Sequence, residues 1–118
     1  MLARVNGCTI VGMDPYPIEV EVDASGGLPE FTIVGLPDAT VKESKERVRT
    51  AIKNAGFVFP PRKIIVNLAP ADLKKEGPGF DLAIAIGILA ATEQVKTDFL
   101  PAYYLAGELS LDGGIRGV

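Results

Sequence analysis

The sequence predicts a two-layer α/β (α+β) sandwich, a mixed sheet with two helices packed on it in the order β-β-β-α-β-α-β. Three observations carry this. Residues Ile18 to Asp23 alternate strictly between apolar and acidic side chains, the pattern of a strand with one buried face. Between Val41 and Ala55, apolar and small residues recur at helical spacing. From Lys74 to Ala91, a charged loop turns through Gly77-Pro78-Gly79 and enters an almost wholly apolar helix.

Residues 2 to 12 are rich in β-branched and apolar types and read as a strand, with Gly7 marking a bulge or a close backbone approach. Asp14-Pro15 and Pro17 then mark a turn. In the alternating strand, Ile18, Val20 and Val22 face the core while Glu19, Glu21 and Asp23 face water. Neighbours on one strand face stand roughly 6.5 to 7 Å apart, too far to share one cation, so the acidic row is a solvated face and not a metal site. Ser25-Gly26-Gly27 is a turn, and Phe31 to Val34 is a third strand closing an antiparallel meander.

The helix to about Ala55 starts at Asp38 as N-cap, with Thr40 and Glu43 as a rival capping box. Val41, Ser44, Val48, Ala51, Ile52 and Ala55 form its inner stripe, and Gly56 ends it. Ile64 to Ala69 is nearly continuously apolar, which places it centrally and covered on both faces. The next helix carries bulky Leu82, Ile86 and Leu89 on one face and small Ala83, Gly87 and Ala90 on another, where a neighbouring backbone can come close. Pro78 suits its first turn, and Asp81 complements the helix dipole. Tyr103 to Leu111 reads as a strand, Asp112-Gly113-Gly114 as a hairpin turn, and Ile115 to Val118 as the start of its partner, so the chain is expected to be a single domain, 1–118, of a longer protein.

Composition narrows the chemistry. At 118 residues with 47% hydrophobic and 23% charged residues, this is a chain able to bury its own core. Cys8 is the single cysteine and there is no histidine, which excludes an internal disulfide, the usual zinc sites and histidine acid/base catalysis. No signal peptide or membrane span is visible, so a cytoplasmic protein is expected. The net charge is −3, yet Lys42 to Lys63 holds seven basic and two acidic residues. Arg47, Arg49, Lys53, Arg62 and Lys63 are therefore candidates for contact with DNA or another acidic partner.

The loop before the apolar helix, with Lys74, Lys75, Gly77 and Pro78, ends at a helix N-terminus, where free N–H groups could serve an anion or an oxyanion. No phosphate loop of the form GxxxxGK[ST] is present, so no nucleotide site is expected. A serine activated by lysine is the remaining nucleophile option, but Ser25, Ser44 and Ser110 fall in a turn, on a helix's inner side and in a strand.

Three long runs, GLPDATVKESKERVRTAIKNAGF, NLAPADLKKEGPGFDLAIAIGILAA and LAGELSLDGG, resemble the N-terminal domain of the magnesium-chelatase-like ATPases of the ComM/YifB type. The resemblance implies a ribosomal protein S5 domain 2-like fold, shared with the Lon protease domain and containing a left-handed crossover, against the usual handedness. In Lon-type peptidases the loop matching Lys75 to Gly79 ends in the nucleophilic serine; here that position is Gly79, and no catalytic residue is expected. The resemblance further implies a parent protein with an AAA+ ATPase domain that binds ATP and Mg2+, assembles as a hexameric homo-oligomer and remodels DNA by branch migration in bacterial recombination and natural transformation. This segment would serve ring assembly or DNA guidance. A Lon-type serine-lysine peptidase and a magnesium chelatase ATPase subunit are the alternatives.

Overall fold

The computed structural model describes residues 1–11 and 13–116. β1 (Leu2–Val11) and β2 (Asp14–Ser25) form a long antiparallel hairpin whose register runs unbroken from Leu2 opposite Asp23 to Val11 opposite Asp14. Gly7 therefore makes no bulge. A Cβ there would stand 3.7 Å from Phe80 Cδ1, an ordinary contact, so no close approach requires the glycine either. Asp14, Pro15 and Pro17 are likewise strand residues and not a turn. Their stretch of β2 runs beyond the strand on its other side, whose pairing begins at Glu19, so the missing proline N–H groups leave that ladder intact.

β3 (Glu30–Val34) does not close a meander. It pairs in parallel with β4 (Lys63–Ala69), and β4 pairs antiparallel with β2, giving the order β1-β2-β4-β3. The most apolar strand has taken the centre, and the helical crossover between β3 and β4 is long enough to return the chain in parallel. Its burial is one-sided: Ile64, Val66 and Leu68 are fully buried, while Lys63, Ile65, Asn67 and Ala69 are half-buried. Both helices lie on one side, so the other face of the sheet stays open. On that face Arg4 reaches Glu19 at 3.6 Å and Glu21 at 3.3 Å, and Asn67 Nδ2 donates to Glu21 at 2.9 Å, which accounts for the acidic row.

The single helix expected after Asp38 is two, α1 (Ala39–Lys42) and α2 (Ser44–Asn54), separated at Glu43. Asp38 is the N-cap, its Oδ1 accepting from Val41 N at 2.7 Å, and Thr40 is already helical. At the other end, Gly56 (φ 91°) donates to Lys53 O and Phe57 N donates to Ile52 O, which closes the helix in a Schellman motif. Val41, Ser44, Val48, Ala51 and Ile52 are buried as the stripe requires; Ala55 is exposed.

α3 (Asp81–Ala91) lies across β1 and β2 with its small face inward. A Cβ on Gly87 would sit 2.5 Å from Val22 Cγ2, so the close approach at this face is to a valine side chain and not to the neighbouring backbone that the sequence predicted. Pro78 is not in the helix: it precedes α3 in a turn, where its carbonyl accepts from Asp81 N. The last strands are shorter than expected. β5 (Glu108–Leu109) pairs with β6 (Ile115–Arg116), and Tyr104 makes only an isolated bridge to Asn6. Gly12 of the first expected strand, and residues 117 and 118 of the last, lie outside the described residues. Among the described residues, no helix is long and apolar enough to cross a membrane.

Candidate functional site at the mouth of the buried helix

The N-terminus of α3 is where backbone chemistry would gather, and two of its amides are already taken. Asp81 N donates to Pro78 O at 3.2 Å and Leu82 N donates to Gly107 O at 3.1 Å, while Gly107 N donates back to Gly79 O at 3.0 Å. The peptide ahead of β5 thus takes the place of an anion. Of these two donors, Leu82 N is taken by a segment 25 positions downstream, a pairing that no local pattern announces.

The negative charge at this helix end belongs to the chain itself. Asp81 is fully buried at the first helical position. Its Oδ1 accepts from Ser44 Oγ at 2.5 Å and Arg47 Nη2 at 3.1 Å, and its Oδ2 accepts from Arg47 Nε at 2.6 Å and Leu109 N at 3.1 Å. The guanidinium grips the carboxylate with two nitrogens, and Glu43 adds a longer contact of 3.6 Å. Hydrogen bonding to Asp81 raises the Arg47 pKa, with burial opposing it. Ser44 is the hydroxyl that sequence reading left away from this helix end: α2 delivers it from 37 positions upstream, and its oxygen also accepts from Arg47 Nη2 at 3.2 Å. With serine and aspartate both sealed from solvent and fully bonded, the cluster ties α2, α3 and β5 together and offers no base or nucleophile to a substrate.

Gly79 stands beside this cluster with no atom within 4 Å of where a Cβ would be, so the position has room for a side chain and carries none. The two lysines of the loop part company. Lys74 is exposed and 3.7 Å from Glu76, whereas Lys75 is buried. Lys75 N donates to Leu36 O and its carbonyl accepts from Asp38 N, both at 3.0 Å, so the loop is strapped to the segment entering α1. Lys75 Nζ donates to Pro70 O, and burial lowers its pKa, partly offset by the charge of Asp72. Among the described residues, no hydroxyl is hydrogen-bonded to this amine. Gly77 holds φ 83°, the left-handed conformation that lets the loop turn back toward α3.

The basic candidates also separate. Arg47 points inward to Asp81. Arg49 points the other way, its guanidinium 5.8 Å from the Phe31 ring centre and 5.2 Å from that of Phe59. Arg49, Lys53 and Arg62 line one groove of about 280 Å³ with Phe59, Pro60 and Pro61, and Lys63 lies outside it on β4. Phe59 is half-buried against the core, and Phe57 is exposed at the rim of another groove. No cluster of metal-ligating side chains occurs among the described residues.

The fold and the closed helix mouth can be set beside known proteins. Residues 20–118 match the family model for subunit ChlI of Mg-chelatase. The chain is 54% identical to the uncharacterized protein YifB of Salmonella typhimurium, 53% to YifB of Escherichia coli and 50% to the competence protein ComM of Haemophilus influenzae, in each case over 99% of the chain. It spans 23% of the length of these relatives. A family model matched over most of the chain, joined to identities of this size, shows that the chain belongs to the Mg-chelatase ChlI family, with ComM and YifB.

Proposed function

We propose that this chain is the non-catalytic N-terminal domain of a ComM-type, magnesium-chelatase-like AAA+ ATPase, and that the whole protein is a cytoplasmic, ring-forming DNA-remodelling motor acting in recombination and natural transformation. The observation that carries the non-catalytic reading is the mouth of α3. A Lon-like peptidase of this architecture needs a hydroxyl and free amides there, and this chain has Gly79 and amides bonded to Pro78 and Gly107. The residues do not fit ATP either: they contain no GxxxxGK[ST] loop, and two amides at the N-terminus of α3, those of Asp81 and Leu82, are bonded within the chain. Nucleotide and Mg2+ would therefore be held by other residues of the whole protein. The name of the ComM relative, a competence protein, supports the link to DNA uptake, and the 23% coverage leaves room for a motor domain beside this one.

The test is activity of the intact protein: ATP hydrolysis stimulated by DNA, branch migration of a four-way junction, and no cleavage of an unfolded polypeptide. In the G79S variant, which restores a hydroxyl in open space, peptidase activity should stay absent because the amides remain engaged. Cleavage by either form would overturn the reading. DNA-independent hydrolysis coupled to metal insertion into a porphyrin would replace it with the chelatase alternative.

A further inference from the structure

Where the sequence shows only a surplus of cations between Lys42 and Lys63, the structure sorts them. Removing Arg47, which is spent on Asp81, leaves Lys42, Lys45, Arg49 and Lys53 at three- and four-residue spacing along α1 and α2, with Arg49 over Phe31 of β3. Arg62 continues the row across the groove beside Arg49 and Lys53. Lys42, Lys45, Lys53 and Arg62 form no ion pair with any described carboxylate. Two acids lie in the row: Glu46, 3.4 Å from Arg49, and Glu30, which accepts from Thr32 Oγ1 at 2.8 Å and lines the groove; Glu43 turns to Arg47 at 3.6 Å. In a chain of net charge −3, this flank sets five cations, Lys42, Lys45, Arg49, Lys53 and Arg62, against Glu46 and Glu30.

The row is also held in place. Arg49 is stacked over Phe31 and Phe59 and so is pre-positioned, and Pro60 and Pro61 fix the wall of the groove. From Lys42 to Lys53 the row extends about 16 Å at the helical rise, long enough to face several phosphates of a duplex that carries one charge per roughly 1.7 Å. A single strand would want an open aromatic face, but Arg49 covers the ring of Phe59, and the exposed Phe57 lines a different groove. We infer that this flank of α1 and α2, continued by Arg62, is a sequence-independent track for the phosphodiester backbone of duplex DNA. The inference rests on the DNA-remodelling reading above and deepens it by naming the surface and the form of the nucleic acid.

The experiment is a salt series on the intact protein, with duplexes of two unrelated sequences and a single strand of equal length. The triple variant K42Q/K53Q/R62Q is compared with K96Q, a lysine outside the row that lines a different pocket. The expected result is a plot of log affinity against log salt that is shallower by roughly two to three units in the triple variant, equally for both duplexes, and unchanged by more than about one unit in K96Q. Thermal melts of the variants check that the fold is intact. If the unmodified protein binds duplex DNA and the triple variant keeps its slope, the track is wrong and the motor reading stands. Tighter binding of the single strand overturns the duplex assignment, and failure of the unmodified protein to bind any DNA overturns both readings.

Discussion

Arg47 and Arg49 stand on the same helix, separated by one residue, and do opposite things. At helical geometry two positions differ by about 200°, so one guanidinium reaches inward to α3 while the other leans outward over β3. Arg47 is four-fifths covered and bonded through two nitrogens to a carboxylate with no exposure at all. Arg49 is more exposed, pairs with Glu46 at 3.4 Å and lies over two phenylalanine rings. The same side chain is thus a structural tie in one case and part of an electrostatic surface in the other. Only the direction of its neighbours decides which.

That contrast breaks most visibly at Arg47. Replacing it with alanine strands the Asp81 charge in the core, and the expected loss is about 3 to 5 kcal/mol, read as a fall in the urea midpoint. Removing both charges, as R47M/D81L, should cost less than the sum of the single changes. The double variant leaves Ser44 and Leu109 N short of an acceptor, at about 1 to 3 kcal/mol each, but no longer buries an unpaired charge. Additive losses would show that Arg47 and Asp81 are independent and that the cluster is not the tie described.

The legibility of the chain follows the same division between local and distant causes. The strand Ile18–Asp23, the inner stripe of α2 apart from Ala55, the closing role of Gly56 and the inward small face of α3 all follow from periodicity or from one residue's backbone freedom, and they are found where the sequence puts them. The parallel pairing of β3 with β4 depends on which strand wins the centre of the sheet, a competition among segments that no window of sequence contains. The same is true at the candidate site. Gly79 marks the missing hydroxyl directly, but the arrival of Ser44 at Asp81 and of Gly107 at the α3 amides requires the tertiary fold. Pro15 and Pro17 misled for a related reason: proline forbids a ladder bond only where a neighbour strand is present to make one, and β4 does not reach them.

A third cation sharpens the comparison, because Lys75 is buried and, unlike Arg47, has no carboxylate bonded to it. Its folded pKa lies below 10.5 because burial penalises the charged form. Below that lowered value the lysine is protonated in both states and the penalty is fully present. Between it and 10.5 the unfolded chain binds more protons, so stability rises with pH across that window. The variant K75M removes the penalty, and its stability relative to the parent should therefore decline as pH is raised from 7 toward 10.5. Urea melts at several pH values decide this, and a pH-independent difference for K75M would show that the ammonium is not penalised by its surroundings.

The smallest effect belongs to Arg49. Truncation to alanine removes a surface ion pair and two ring contacts, and the expected cost is about 0.5 to 1 kcal/mol. Lysine at this position retains the charge and much of the stem packing, so R49K should lose only a few tenths of that amount. At position 47 the same conservative change behaves differently. An ammonium cannot present two coplanar donors to Asp81 while also reaching Thr40 O, so R47K should recover only part of what alanine loses. The pair of lysine variants therefore separates charge from geometry: equal rescue at both positions would mean that position 47 needs only a positive charge, and unequal rescue that it needs the planar fork.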